Sequence, residues 1–368
     1  MNTKNKVLSL SLCAAFGAAF VLSSAVLPSV PAVFAETNSL QTAIDGAQSG
    51  GTVKLTENCA EAVTVAQDDN IVLDLNGFEI SATLTNNGTL KIVDSVGTGA
   101  FRLTSNTSGV VSAIVNNGGL TFDGATVEAT GTGNQTDIRG ITNNSDAAVS
   151  FLSGDISVIS SGGYFGNAIF NAAGGTVEEI SGGTLSAQIS NTNVKLNSVA
   201  INNSGTIKDI SGGKITSENN GNGGTGNYAV AIRNNNGGVI ESISGGELYG
   251  CTDNGSEVAY AIFNQSGGTI KKISGGKLTG EKKEGGIEWA FGIRNEGNIQ
   301  LISGGQIVAR ISHTSSSGGP NAIALCNDGT VGNVTGGTFF AASSSVNGGT
   351  YAIRTRAEGH SITISGGA

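Results

Sequence analysis

The stretch Ala259–Gly280, AYAIFNQSGGTIKKISGGKLTG, is one copy of a unit that recurs about every thirty residues. The copy before it, Ala229–Gly250, reads AVAIRNNNGGVIESISGGELYG, and the copy after it, Ala290–Ala309, reads AFGIRNEGNIQLISGGQIVA. A unit this short cannot bury its own apolar residues, so the copies must stack and share one continuous core. A chain of 368 residues would otherwise divide into two or three domains, because a compact core stops growing at roughly 250–300 residues. An array in which each unit touches only its neighbours escapes that limit, and one elongated domain is expected.

Two residue series keep step through the array. The asparagine that closes the A-I-x-N element falls at Asn116, Asn143, Asn171, Asn203, Asn234, Asn264, Asn295 and Asn327, at intervals of 27 to 32 residues. The aliphatic residue before S-G-G or its variants falls at Leu152, Ile180, Ile210, Ile243, Ile273, Ile302, Val334 and Ile364. Within a unit, A-I-x-N, T-I-x-x-I and the x-L after S-G-G are each too short for a helix. Each is bounded by Gly or Asn, which accept the positive φ of a tight turn. Three short strands per turn describe a parallel β-helix, whose turns stack at roughly 4.8 Å so that every strand pairs with its copies above and below. The inward columns are then Ile169, Ile201, Ile232, Ile262, Ile293, Leu325 and Ile353 on one wall and Ile207, Ile240, Ile270 and Ile299 on a second. Leu185, Ile215, Leu248, Leu278 and Ile307 form the third. The buried asparagines read as structural, each able to bond its own backbone and the amide one turn above.

Composition excludes the rivals. Glycine is abundant (58), proline scarce (3), and only 13% of residues are charged, which fits neither a helical bundle nor a disordered chain. The glycines pair as G-G without a collagen period. A leucine-rich repeat would need an L-x-x-L-x-L frame of roughly 20–29 residues, and a calcium-binding nonapeptide coil would need regular aspartates. The net charge of −9 and the lack of a basic stripe exclude nucleic acid as a partner.

Read in order, Met1–Ala35 has the form of a secretory signal peptide: Lys4 and Lys6, an apolar run over Val7–Leu27, and the cleavage site Val33-Phe34-Ala35. Residues 36–368 hold the repeats, and no membrane span is expected to remain after cleavage. Leu40, Ala43, Ile44 and Ala47 fall on one helical face, so a short helix is expected to cap the first turn. The chain then reads GGTVKL and Asn70–Ile80, NIVLDLNGFEI, with alternating apolar residues before an Asn-Gly turn. This opening, followed by Asn-Gly-punctuated strands, resembles bacterial right-handed parallel β-helix proteins of the pectate-lyase-like superfamily, of an exported, adhesin-like type. The resemblance implies an all-β, right-handed solenoid of about ten turns. At the other end the sequence stops within a repeat, and an incomplete or uncapped terminus is expected.

Repeat length varies at one phase, between x-L-x and the next A-I-x-N, so the inserts project from one side of the stack. Variable loops on a rigid scaffold are where binding is most often placed. The residue before each ladder asparagine points outward, giving the stripe Phe170, Asn202, Arg233, Phe263, Arg294, Cys326 and Arg354, whose rings and guanidiniums can stack. Aromatics gather where the inserts return to the wall: Tyr164, Phe165, Tyr228, Tyr260, Trp289, Phe291 and Tyr351. Candidate ligand-binding residues are therefore Tyr228, Tyr260, Trp289, Phe291, Arg233 and Arg294. No cofactor or metal site is expected.

The catalytic sets of the polygalacturonase and pectate-lyase branches are not recognisable. Asp68 with Asp69, the acidic group Glu281, Glu284 and Glu288, and the histidines His313 and His360 are the remaining groups a hydrolase might use. Three cysteines follow the leader, and Cys251 and Cys326 are expected too far apart for a disulfide. The expectation is an exported or cell-surface β-helix that binds a polysaccharide or a host or cell-surface glycoprotein through loops on one side. The alternatives are a polysaccharide lyase or glycoside hydrolase with its site on the same face, and a structural spacer of a larger surface protein.

Overall fold

The computed structural model describes residues 33–34, 39–162, 165–190, 197–221, 227–253, 257–284, 289–314, 319–345, 347–356 and 362–366. By compactness the chain divides into Met1–Val30 and Pro31–Ala368, and every described residue belongs to the second unit. The leader lies outside the described residues except Val33–Phe34, which pair in parallel with Val53 and Lys54.

The architecture is an all-β parallel solenoid with three walls per turn. The first wall is an eleven-stranded sheet built from the A-I-x-N elements, among them Asn227–Asn234, Glu257–Asn264, Ala290–Asn295, Ala322–Asn327 and Thr350–Thr355. The second and third walls join into one nineteen-stranded sheet. They join because some strands, such as Asn298–Ile311 and Thr330–Ser343, pass from one wall to the next with a break in register at S-G-G.

The three inward columns follow the repeat register. Ile201, Ile232, Ile262, Ile293 and Leu325 are partners on successive coils. So are Ile207, Ile240, Ile270 and Ile299, and Leu185, Ile215, Leu248, Leu278 and Ile307. All of these are fully buried, each contributing roughly 1.5–3 kcal/mol. Towards the N-terminus aromatic rings fill the same interior, with Phe122 and Phe151 stacked at 5.5 Å.

The corner after the first wall is held by amides. Asn234 Nδ2 donates to Asn264 Oδ1 at 2.8 Å, and Asn264 Nδ2 to Asn295 Oδ1 at 2.7 Å. The series runs unbroken from Asn86 to Asn327, and every member is fully buried. From Asn86 to Asn295 each amide nitrogen also donates to a backbone carbonyl of the next coil, as Asn264 does to Asn298, and Asn327 donates to Gly329 of its own coil, which satisfies groups that are costly to bury unpaired. The ladder adds Asn86 to the series read from sequence. Its nine rungs enclose eight complete turns, fewer than the ten expected, because the first and last coils are short and irregular.

The S-G-G corner needs both glycines for different reasons. Gly276 has φ +80°, where a side chain is strained. A Cβ on Gly275 would collide with the carbonyl oxygen of Ser244 on the coil below.

The N-terminal end is covered by a helix over Leu40–Asp45, two residues shorter than the apolar spacing indicates. Ser39 caps it, accepting from Thr42 N, and Leu40, Ala43 and Ile44 face the core. The other end is more open, with Ile364 59% and Phe340 45% exposed. Cys59, Cys251 and Cys326 are free. Cys251 lies on the third wall beside Glu281 and Cys326 on the first beside Arg294, so different walls separate them as well as coils.

Candidate functional site

The site is formed where the first wall departs from simple strand alternation. In Tyr260-Ala261-Ile262, strict alternation would turn Tyr260 and Ile262 to the same side. Instead Ala261 and Ile262 both enter the main core, and Tyr260 belongs to a separate apolar cluster. The same holds for Val230 against Ala231 and Ile232. The residue at the break is always small because the third wall passes close behind it: a Cβ on Gly292 would meet Ile307 Cγ2 at 2.7 Å. The Ala or Gly of each A-I-x-N element is thus what pushes the preceding residue outward.

This second cluster consists of Val199, Val230, Tyr260, Phe291, Ile323 and Cys326, with Tyr228, Val258, Phe263 and Trp289 partly buried against it. Its rings form one layer. Tyr260 stacks on Phe263 and on Phe291, both at 5.2 Å, meets Tyr228 edge-on at 6.3 Å, and Trp289 meets Phe291 at 5.7 Å. Tyr260 is only 6% and Phe291 only 1% exposed, so these two candidates are floor rather than surface. Trp289 and Tyr228 are half-buried, and Tyr351 is 39% exposed.

Guanidiniums lie across the rings. Arg294 sits over Phe263 at 5.7 Å and over Phe291 at 5.8 Å. Arg354 covers Tyr351 at 4.9 Å and Trp289 at 5.7 Å, and Arg356 reaches Trp289 from 5.0 Å. Arg233 lies over Tyr228 and donates to its hydroxyl at 2.8 Å. With the Gln265 amide turned to face its donors, its oxygen also accepts from Arg233 Nη2 at 2.9 Å. Stacking of this kind fixes the guanidinium plane and contributes about 0.5–1 kcal/mol per contact. Two acids join from the corner column: Arg294 pairs with Glu296 at 2.6 Å and Asp328 at 3.5 Å, and Arg356 approaches Asp328 at 3.7 Å. Among the described residues neither Arg233 nor Arg354 has a carboxylate partner. Burial pushes the Tyr260 phenol up to about 12 and raises that of Tyr228, against the pull of the neighbouring arginines. Burial also raises the Cys326 thiol, aided by Asp328.

All six residues singled out in the sequence, Tyr228, Arg233, Tyr260, Trp289, Phe291 and Arg294, thus meet on one face. Sequence reasoning put Arg354 in the outward stripe but not in the site, and it missed Arg356. The signal for Arg356 was available: it follows the ladder position, in the same corner phase as Glu296 and Asp328. Part of every insert, with Tyr164, Glu288 and His360, lies outside the described residues. The other acids are separate from this face. Asp69 accepts from Ala66 N in a turn of the first coils, and Glu281 accepts from Tyr249 Oη and Ser312 Oγ on the outside of the third wall. Comparison with protein-family models, with curated proteins and with solved structures finds no match to this chain.

Proposed function

We propose that the protein is an exported surface module that binds glycans on the outer face of its first wall, an adhesin-like role of the kind implied by its resemblance to pectate-lyase-like β-helix proteins. One observation carries this reading: the ring and guanidinium layer from Tyr228 to Arg356 is continuous across several coils and lies at the root of the inserts. Ring faces and guanidinium edges together suit the apolar faces and polar rims of sugars. The layer is also held rigid by the wall beneath it, which limits the entropy lost on binding.

The test is to incubate the purified protein with a panel of neutral and acidic polysaccharides, measuring both binding and product release. Binding without turnover is expected, weakened about tenfold or more by Trp289→Ala. Release of unsaturated or reducing products would replace this reading with a lyase or hydrolase. No binding to any polysaccharide would leave a structural spacer.

A further inference from the structure

The column that precedes the ladder asparagines has a period of its own. Arg233, Phe263, Arg294, Cys326 and Arg354 are partners on successive coils, so a guanidinium returns at every second coil. At the strand spacing that is about 9.6 Å, and the run from Arg233 to Arg354 covers about 19 Å. The intervening residues carry no charge, and Cys326 is fully buried. The rings beneath orient the guanidiniums. Their N–H edges are used unequally: Arg294 is held by Glu296 through Nε and Nη2, Arg233 donates to Tyr228 Oη and, through Nε and Nη2, to Gln265, and Arg354 pairs with no carboxylate among the described residues. A planar guanidinium with an open edge can form a bidentate pair with a carboxylate or sulfate. Among the described residues of this face four guanidiniums, those of Arg233, Arg294, Arg354 and Arg356, stand against two carboxylates, those of Glu296 and Asp328. The local excess is positive on a chain whose net charge is −9.

We infer that the occupant of this face is an extended acidic polysaccharide that presents one carboxylate or sulfate per disaccharide along one edge, with acid groups on Arg233 and Arg354, four coils apart, and the one between them passing Arg294, whose charge Glu296 and Asp328 already share. Two coils match the length of an extended disaccharide, so consecutive acid groups of such a polymer fall in register with alternate coils. In this arrangement the buried aromatics are the support and the arginines are the contacts. Trp289 and the more exposed Tyr351, both beside Arg354, are the rings left to meet a sugar face. The inference rests on the glycan-binding reading and narrows it to one charge class and one spacing.

The test is calorimetric titration with oligosaccharides that alternate glucuronate with N-acetylglucosamine, in a series of increasing length, and with their carboxyl-reduced neutral forms. Affinity is expected to rise about tenfold or more as the oligosaccharide grows from one to three acid groups, then to level off once it spans the column. Arg354→Gln and Arg233→Gln should each weaken the longer oligosaccharides about tenfold or more and should remove the gain from length when combined. Arg354→Lys, which keeps the charge but loses the planar fork, should fall between. Thermal melts of each variant separate lost binding from lost folding. Equal binding of acidic and neutral oligosaccharides, or affinity independent of length, overturns the inference while leaving the glycan-binding reading in place. Failure to bind any polysaccharide overturns both.

Discussion

The outer faces of the first and second walls share one backbone geometry and one coil spacing, yet they are different kinds of surface. On the second wall Glu178, Lys208, Glu241 and Lys271 alternate in sign, with Lys208–Glu178 and Lys271–Glu241 each at 2.6 Å and every partner 39–49% exposed. Pairs this exposed contribute about 0–1 kcal/mol. They keep a wide strand face wet and discourage sheet-to-sheet association. On the first wall the outer layer carries Tyr260 and Phe291, 6% and 1% exposed, with Tyr228, Phe263 and Trp289 half-buried around them, so its centre is buried almost as fully as the interior. Coil geometry therefore fixes the interior and leaves each outer face free to be built for a separate purpose.

The sharpest way to break this comparison is to truncate one side chain on each side of the first wall. Phe291→Ala on the outer layer should cost about 3–5 kcal/mol, and Ile293→Ala in the interior about 2–5 kcal/mol. Urea unfolding measures both, and a loss below about 1 kcal/mol for Phe291→Ala would show that the outer layer is not a core. A second test uses pH. The Tyr260 phenol is raised from its ordinary 10.0 to about 12 by burial, so its neutral form favours the folded state. Its contribution is intact below about pH 10 and is lost as the pH rises through about 12. Phenolate absorbance from Tyr260 should accordingly appear late in an alkaline titration, together with unfolding, and Tyr260→Phe should remove that component. The smallest effect belongs to the second wall: Lys271→Ala should change stability by about 0.5 kcal/mol or less, and a larger loss would mean its charge ladder is structural.

The interior was legible from the sequence because the repeat fixes the register. Once Ile262, Ile270 and Leu278 are assigned to walls, their copies follow, and all are buried except Ile353 on the last described coil of that wall, which is half-buried. The ladder was legible for the same reason, although Asn86 was not, because Leu84-Thr85-Asn86 lacks the small residue and isoleucine that mark later copies. The outer layer was legible only in part. Residues 260 and 262 are two apart, so the period-two rule puts them on one face. What overrides that rule is the close packing at the break, where a Cβ on Gly292 would meet Ala324 O of the next coil and Ile307 of the third wall, contacts between strands that no local pattern records. The aromatic types were visible and drew attention to the right coils, but the division between supporting rings and presented arginines depends on burial.

The central claim is that the outer layer is one part of the fold with the wall beneath it. Trp289, the only tryptophan in the chain, reports on it without any substitution. Denaturant titrations should follow Trp289 fluorescence and far-ultraviolet circular dichroism in the same samples. The expected result is that the fluorescence transition coincides with loss of the β signal. A complete change in Trp289 fluorescence at denaturant concentrations that leave the β signal intact would contradict the claim, since the layer would then be melting as a loose covering on an undisturbed solenoid.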